Sequence, residues 1–189
     1  RILLDECGYT WEKAWDIVVR TVAYTNHTVM SEALECWPID LFKARLPRIF
    51  QIVTEIDNRH RAWVWEQTHD ADYVERTAII RDGVVKMANL AVAACHKING
   101  VSRLHSEILK DEVFRDFYKL TPDKFTNVTN GIAHRRWLCQ ANPELSAYLK
   151  NLIGSGFITD AEKLSGLLEY KDDAAVKEEL AKIKRSNKM

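Results

Sequence analysis

Three short polar runs hold the residues best suited to chemistry without charge: Thr25-Asn26-His27-Thr28, Asn99-Gly100-Val101 and Asn127–Ile132. A neutral imidazole, a carboxamide and a hydroxyl each offer a donor and an acceptor and bring no net charge. Such a set suits the hydroxyl groups of a sugar. Each run borders an apolar stretch, and loops held by rigid elements are where ligands are usually met. A plainer reading stays open on pattern alone. In it, His27 is a satisfied structural histidine and Asn99-Gly100 is a turn.

Other groupings carry less. His105 and Glu107 stand two residues apart, so on a helix they do not share a face. A capped surface helix explains them better than an acid/base pair. Gly154-Ser155-Gly156 is too short for a phosphate loop and lacks a clear preceding strand, so it reads as a helix-ending turn. Arg135-Arg136 could grip a phosphate, but Trp137 and Leu138 beside them suit a packed helix start. Cys7, Cys36, Cys95 and Cys139 form no C-x-x-C pair and have no histidine at zinc spacing. They read as reduced, mostly buried thiols of a cytoplasmic protein. Asn26-His27-Thr28 and Asn127-Val128-Thr129 fit the glycosylation pattern only by chance in a chain without a signal peptide. The chain opens at Arg1 in the manner of a fragment or a processed product.

Positioning these residues takes a sizeable fold. The chain has 189 residues, 47% of them hydrophobic, with six tryptophans, enough for one large domain or two small ones. Its 27 basic and 27 acidic side chains balance. Nothing in that balance favours nucleic acid or a strongly charged partner. No apolar run is long enough to span a membrane. Trp11, Ala14, Trp15, Val18, Val19 and Val22 recur every three or four residues, which predicts an amphipathic helix capped by Thr10. Tyr24–His27 reads as an extended exit, and Ser31 as the cap of a short helix. Pro38 and Pro47 open two more helical runs. Asp57–Asp82 is polar and less regular, with Trp63 and Trp65 as anchors, and reads as an exposed excursion. The apolar middle of Val84–Ile98 fits a buried strand or a tightly packed helix. It is the one convincing strand candidate, ended by an Asn99-Gly100 turn. Ser102 starts a helix to Leu109, and Thr121-Pro122-Asp123 marks another turn or helix start. Short helices follow at Arg135–Gln140, Pro143–Leu152 and Asp160–Tyr170. A charged helix over Asp172–Met189 has Val176, Leu180 and Ile183 on one side. The pattern as a whole is helix-rich and α/β.

Longer stretches add a resemblance. AYTNHTVMSEALECWPIDL is similar to a segment of the α-glucan phosphorylases, the glycogen, starch and maltodextrin phosphorylase family. LPRIFQIVTEIDNRH, NGVSRLHSEILK, VFRDFYKLTPDKFTNVTNGIAHRRWL, FITDAEKLSGLLEYKDD and KIKRSNKM follow in the family's order. The likeness covers nearly the whole chain. It implies the helix-rich central segment of a two-lobed, GT-B-like glycosyltransferase, with few strands of its own. Residues 1–130 would end the first lobe, and residues 131–189 would be the opening helices of the second.

The same resemblance implies phosphorolysis of terminal α-1,4-glucosidic bonds, giving α-glucose 1-phosphate with retention, and pyridoxal phosphate as a phosphate relay. By match to the family motif, His27 is the catalytic-subsite histidine. Its side chain would meet the sugar's primary hydroxyl, and its backbone carbonyl would face the reacting centre. Asn130 would contact the same hydroxyl, and Val101 would line the subsite. The family's Schiff-base lysine and its phosphate-binding basic cluster fall in motifs that this chain lacks. The isolated chain is therefore expected to be inactive, cytoplasmic, and prone to self-association through surface meant for burial. The alternative is a non-catalytic module that binds glucan or a partner. Three positions depart from the family pattern: Ser31 in place of proline, Cys36 in place of a basic residue, and Ala133-His134 in place of Thr-Pro.

Overall fold

In the computed structural model, which describes Arg1–Met189 throughout, the Thr10 hydroxyl accepts the Lys13 amide and starts α1 (Trp11–Thr21). The chain leaves α1 as β1 (Tyr24–Thr25). Ser31–Ala33 forms a single 3-10 turn, with Ser31 inside the turn and not capping it. Next come β2 (Cys36–Pro38), α2 (Ile39–Arg45) and α3 (Pro47–Thr68). Pro47 takes the first helical position, where a missing N–H costs nothing. The Asp70 side chain caps α4 (Ala71–Thr77). A tight hairpin then joins β3 (Ile80–Arg81) to β4 (Val84–Lys86). Its turn residues, Asp82 and Gly83, both have positive φ, 54° and 75°, as this hairpin geometry demands.

The rest of the first half runs α5 (Met87–Ala94), β5 (Ile98–Gly100), α6 (Arg103–Ile108), α7 (Arg115–Leu120) and β6 (Phe125–Asn127). Helix accounts for 68% of the chain; the strands are two or three residues long and form two three-stranded sheets. One sheet is antiparallel, in the order β2-β4-β3. The other is parallel, in the order β1-β5-β6. The chain divides into two compact units, Arg1–Asn130 and Gly131–Met189.

Several expectations fail here for physical reasons. Asp57–Asp82 is no exposed excursion. It finishes α3, forms α4 and enters the first sheet, with Asp57, His60, Val64, Thr77, Ala78 and Ile79 all buried. Its polar residues look like surface only until their internal partners are known. Val84–Ile98 is not one strand: three residues pair in β4, and the apolar middle is the packed helix α5. Asn99-Gly100 is not a turn but part of the central parallel strand. Sheet pairing overrides the local turn preference of those two residues. All four cysteines are free, but only Cys95 is buried; Cys7 and Cys36 are exposed.

Two apolar clusters fill the first unit. Phe42, Val53, Ile79 and Val85 join α2 and α3 to the antiparallel sheet. Ala88, Val92, Ile98, Leu109, Phe114 and Phe117 pack α5, α6 and α7 around the parallel sheet. Burying each Val, Ile, Leu or Phe among them contributes about 1.5–3 kcal/mol. At the edge of the second cluster the His60 ring stacks on Phe117, with centroids 5.6 Å apart. Its Nε2 is buried with no hydrogen-bond partner. Burial pushes the His60 pKa down to about 4, and nearby Asp57 offsets only part of that.

The unfolded chain, with an ordinary imidazole near 6.5, takes up a proton that the native protein refuses. Stability therefore falls as the pH drops from 6.5 and levels off below about 4, by roughly 3 kcal/mol in all. His60→Phe should abolish that part of the acid sensitivity. Urea unfolding of both proteins at pH 7 and pH 4 measures it, and an equal drop in both would refute the assignment.

The second unit is helical. The Asn142 side chain caps α8 (Pro143–Ile153), and Gly154, at φ 77°, ends it. Asp160 caps a 3-10 stretch over Ala161–Tyr170, and Asp173 caps α9 (Ala174–Ser186). Val176 and Ile183 of α9 are buried, whereas Leu180 on the same side stays exposed. His134, one of the positions that departs from the family pattern, donates from Nε2 to the Ile158 carbonyl at 3.2 Å. It thus anchors the start of the short Arg135–Gln140 helix without a proline.

Candidate functional site

In a parallel sheet every strand delivers its following loop to the same edge, and such edges are where α/β proteins bind ligands. β5 lies between β1 and β6, with Asn99 opposite both Thr25 and Thr126. His27 comes two residues after β1, Val101 directly after β5, and Asn130 three residues after β6. The structure therefore brings the three polar runs together. The ladder continues past the strands: Asn26 N–H donates to the Asn99 carbonyl (3.0 Å), Val128 N–H to Gly100 (3.1 Å) and Asn130 N–H to Val101 (3.1 Å). Two of the candidate residues, Asn130 and Val101, are thus joined directly.

Local chemistry shapes the first loop. Asn26 is 1% exposed. Its Nδ2 donates to the Tyr24 hydroxyl, and its Oδ1 accepts the Thr28 amide at 2.9 Å. This is an Asx turn, with exposed His27 at its centre. The turn's hydrogen bonds run through Asn26 and Thr28, and none uses the imidazole. Burial of Asn26 also closes the first glycosylation match in the folded chain. Thr25 Oγ1 donates to Asn99 Oδ1 at 2.8 Å and ties the first two loops together.

The sequence places His105 on a surface helix, and the structure corrects that. It is buried in the first turn of α6, 9% exposed. Its Nδ1 accepts the Val101 amide at 3.2 Å, and its Nε2 lies 3.4 Å from the Thr28 carbonyl. A capping pattern could have revealed it. Ser102 caps α6 by accepting the His105 amide, and a side chain three residues after such a cap commonly reaches back to the backbone at the helix start.

The wall made by these loops combines an imidazole, a carboxamide and a small apolar side chain, all uncharged or able to be so. It can orient a polyhydroxylated ligand. A further concavity lies elsewhere in this unit. It is an apolar groove of about 740 Å³ bordered by Trp11, Trp15, His60, Trp63, Phe117 and Lys124, and it includes none of His27, Val101 and Asn130. Lys124 precedes β6, at the opposite end of the sheet from the wall. Burial lowers its pKa, but its Nζ is committed to the Val92 and Ala93 carbonyls, each at 3.1 Å. Its position and its bonds make it unsuited to hold pyridoxal phosphate against the wall. No cluster of histidine, cysteine and carboxylate side chains is arranged to hold a metal ion, and no helix is long and apolar enough to cross a membrane.

Comparison with known proteins identifies the family. The family model for carbohydrate phosphorylases matches residues 1–189. The chain is 49% identical over 189 residues to the glycogen phosphorylase of Bacillus subtilis, covering 100% of this chain and 24% of that protein. It is 48% identical over 193 residues to the muscle form of Homo sapiens and 46% identical to that of Oryctolagus cuniculus, covering 23% of each. The chain thus spans about a quarter of the length of the curated relatives it matches. On a match that runs from its first residue to its last, this chain belongs to the carbohydrate phosphorylase family.

Proposed function

We propose that the chain is a central segment of an α-glucan phosphorylase and supplies one wall of its sugar subsite. The observation that carries this reading is the delivery of His27, Val101 and Asn130 to one edge of the parallel sheet, with Asn130 bonded to Val101. Inorganic phosphate would form a bond to the anomeric carbon of the terminal glucose as the α-1,4 bond breaks, and the departing glucan oxygen would take a proton. The products are α-glucose 1-phosphate and a shortened glucan. In this reading the His27 imidazole and the Asn130 carboxamide bind the primary hydroxyl, and Val101 fills the space beside the ring. The His27 carbonyl dipole faces the positive charge that develops at the anomeric carbon, where a fixed dipole stabilises the transition state most.

We place residues 1–130 at the end of the first lobe of a GT-B-like enzyme and residues 131–189 at the opening of the second. The enzyme would work in the cytoplasm and form oligomers. Pyridoxal phosphate, which the family resemblance implies, would be held by residues other than these, since Lys124 does not suit it. By itself the chain would make no glucose 1-phosphate.

Grafting residues 1–189 into the Bacillus subtilis glycogen phosphorylase in place of the matching segment tests this. The graft is expected to phosphorolyse glucan, and His27→Ala in it to lower kcat/KM about 100-fold, the scale for removing one aimed polar group. An active graft that is indifferent to His27→Ala would overturn the assignment of His27.

A further inference from the structure

The first turn of α6 touches all three loops of the wall. Nδ1 of His105 accepts from Val101 N–H at 3.2 Å, and Nε2 faces the Thr28 carbonyl at 3.4 Å. The hydroxyl of the next residue, Ser106, lies 2.8 Å from Asn127 Oδ1. A backbone amide can only donate, so Nδ1 carries the lone pair. A carbonyl can only accept, so Nε2 carries the proton. One neutral tautomer satisfies both loops at once, and neither a protonated ring nor the other tautomer does.

We infer that His105 is a positioning residue: it clamps the loop of His27 to the loop of Val101 and so sets how the wall presents itself to the sugar. The inference rests on reading these loops as a sugar wall. His105 touches no substrate itself. It acts through Thr28, the neighbour of His27, and through Val101. The side chain is buried behind the wall, where a residue can fix backbone geometry without competing for the ligand. Fixing a polar group against its own loop motion is how such supports raise rate.

Two measurements test the clamp. The first uses the 189-residue chain and reads amide hydrogen exchange by residue. In His105→Phe the Val101 amide should exchange at least about tenfold faster, the loss of one hydrogen bond's worth of protection. The Asn26 amide, held by the Asn99 carbonyl, should not change. His105→Asn can place an oxygen where Nδ1 stood and should keep Val101 protected. His105→Gln reaches past that point and should not. This pair decides the matter if the phenylalanine variant fails to fold, and equal protection of Val101 in every variant overturns the clamp.

The second measurement uses the graft. His105→Phe should lower kcat at least about tenfold when His27 is present and less than about twofold on a His27→Ala background, since a residue acting through another is not additive with it. Equal losses on both backgrounds would make His105 merely structural and overturn the proposal. If the graft with native His27 and His105 is inactive, the functional reading fails, and the exchange result alone decides the clamp.

Discussion

Asp57→Ala should lower the unfolding free energy of the chain by about 3–5 kcal/mol, the usual cost of removing one member of a buried ion pair. Asp57 is 5% exposed and uses both carboxylate oxygens. Oδ1 accepts the buried Ile79 amide at 2.7 Å, and Oδ2 accepts Arg61 Nε at 2.9 Å. The Arg61 guanidinium also donates to the Ile80 carbonyl at 2.8 Å and to Glu75. This single carboxylate thus pins α3 to the start of β3 and neutralises a half-buried cation. Alanine leaves an unpaired amide and an undercompensated charge in place. Native proteins hold only about 5–15 kcal/mol in reserve, so the variant should be partly unfolded at 37 °C. Asp57→Asn retains an acceptor for Ile79 and loses only the charge, so its cost should be smaller. Urea denaturation of the three proteins checks this, and a cost for alanine below about 1 kcal/mol would show that the network carries no stability.

Gly100→Ala should be the most damaging small substitution near the wall. A methyl group at Gly100 would sit 2.6 Å from Ser106 Oγ, 2.8 Å from the Ser106 nitrogen and 2.9 Å from its Cα. Two of those atoms are backbone of α6, so no side-chain rotation relieves the contact. The helix must move off the end of β5 and carry His105 with it. Overpacking of this kind costs about 1–3 kcal/mol, and more where backbone is the obstacle. Gly131→Ala is the matching control, because nothing lies within 4 Å of its added methyl. That variant should stay within about 0.5 kcal/mol of the parent. Thermal melts of both decide it. Equal stabilities would mean that β5 and α6 separate more easily than their spacing suggests.

Legibility in the sequence followed how local each signal was. α1, with its apolar spacing and Thr10, and α6, with Ser102, could be read because cap and periodicity lie within one or two turns. The glycine that ends α8 was readable for the same reason. Arg81-Asp82-Gly83-Val84 carries an open hairpin signal, the Asp-Gly turn, but a flanking strand of two residues is too short to show alternation. Asp57 and His60 look like surface in the sequence because Ile79 and Phe117, which bury them, are brought up only by tertiary packing. Asn99-Gly100 reads as a turn because the strand partners of Asn99 stand far off in sequence, at Thr25 and Thr126. The sequence singles out all three wall residues, His27 by side-chain chemistry and Asn130 and Val101 through family likeness. Their meeting at one sheet edge was not readable, since register between distant strands leaves no local trace.

The smallness of the parallel sheet has a thermodynamic consequence. Thr25 and Asn99, whose side chains join two of the loops, are 74 positions apart. Closing a chain loop of that length costs roughly 4 kcal/mol of entropy, while each hydrogen bond returns only about 0.5–1.5 kcal/mol net. The two bonds that tie Asn99 to Thr25 and Asn26 return less than that; Val92, Ile98, Phe114 and Phe117 must supply the rest by leaving water together. The wall therefore has no partly formed state of its own. It exists where the apolar cluster beneath it is complete and vanishes when that cluster opens, so the capacity to hold a sugar is switched on cooperatively with the fold itself.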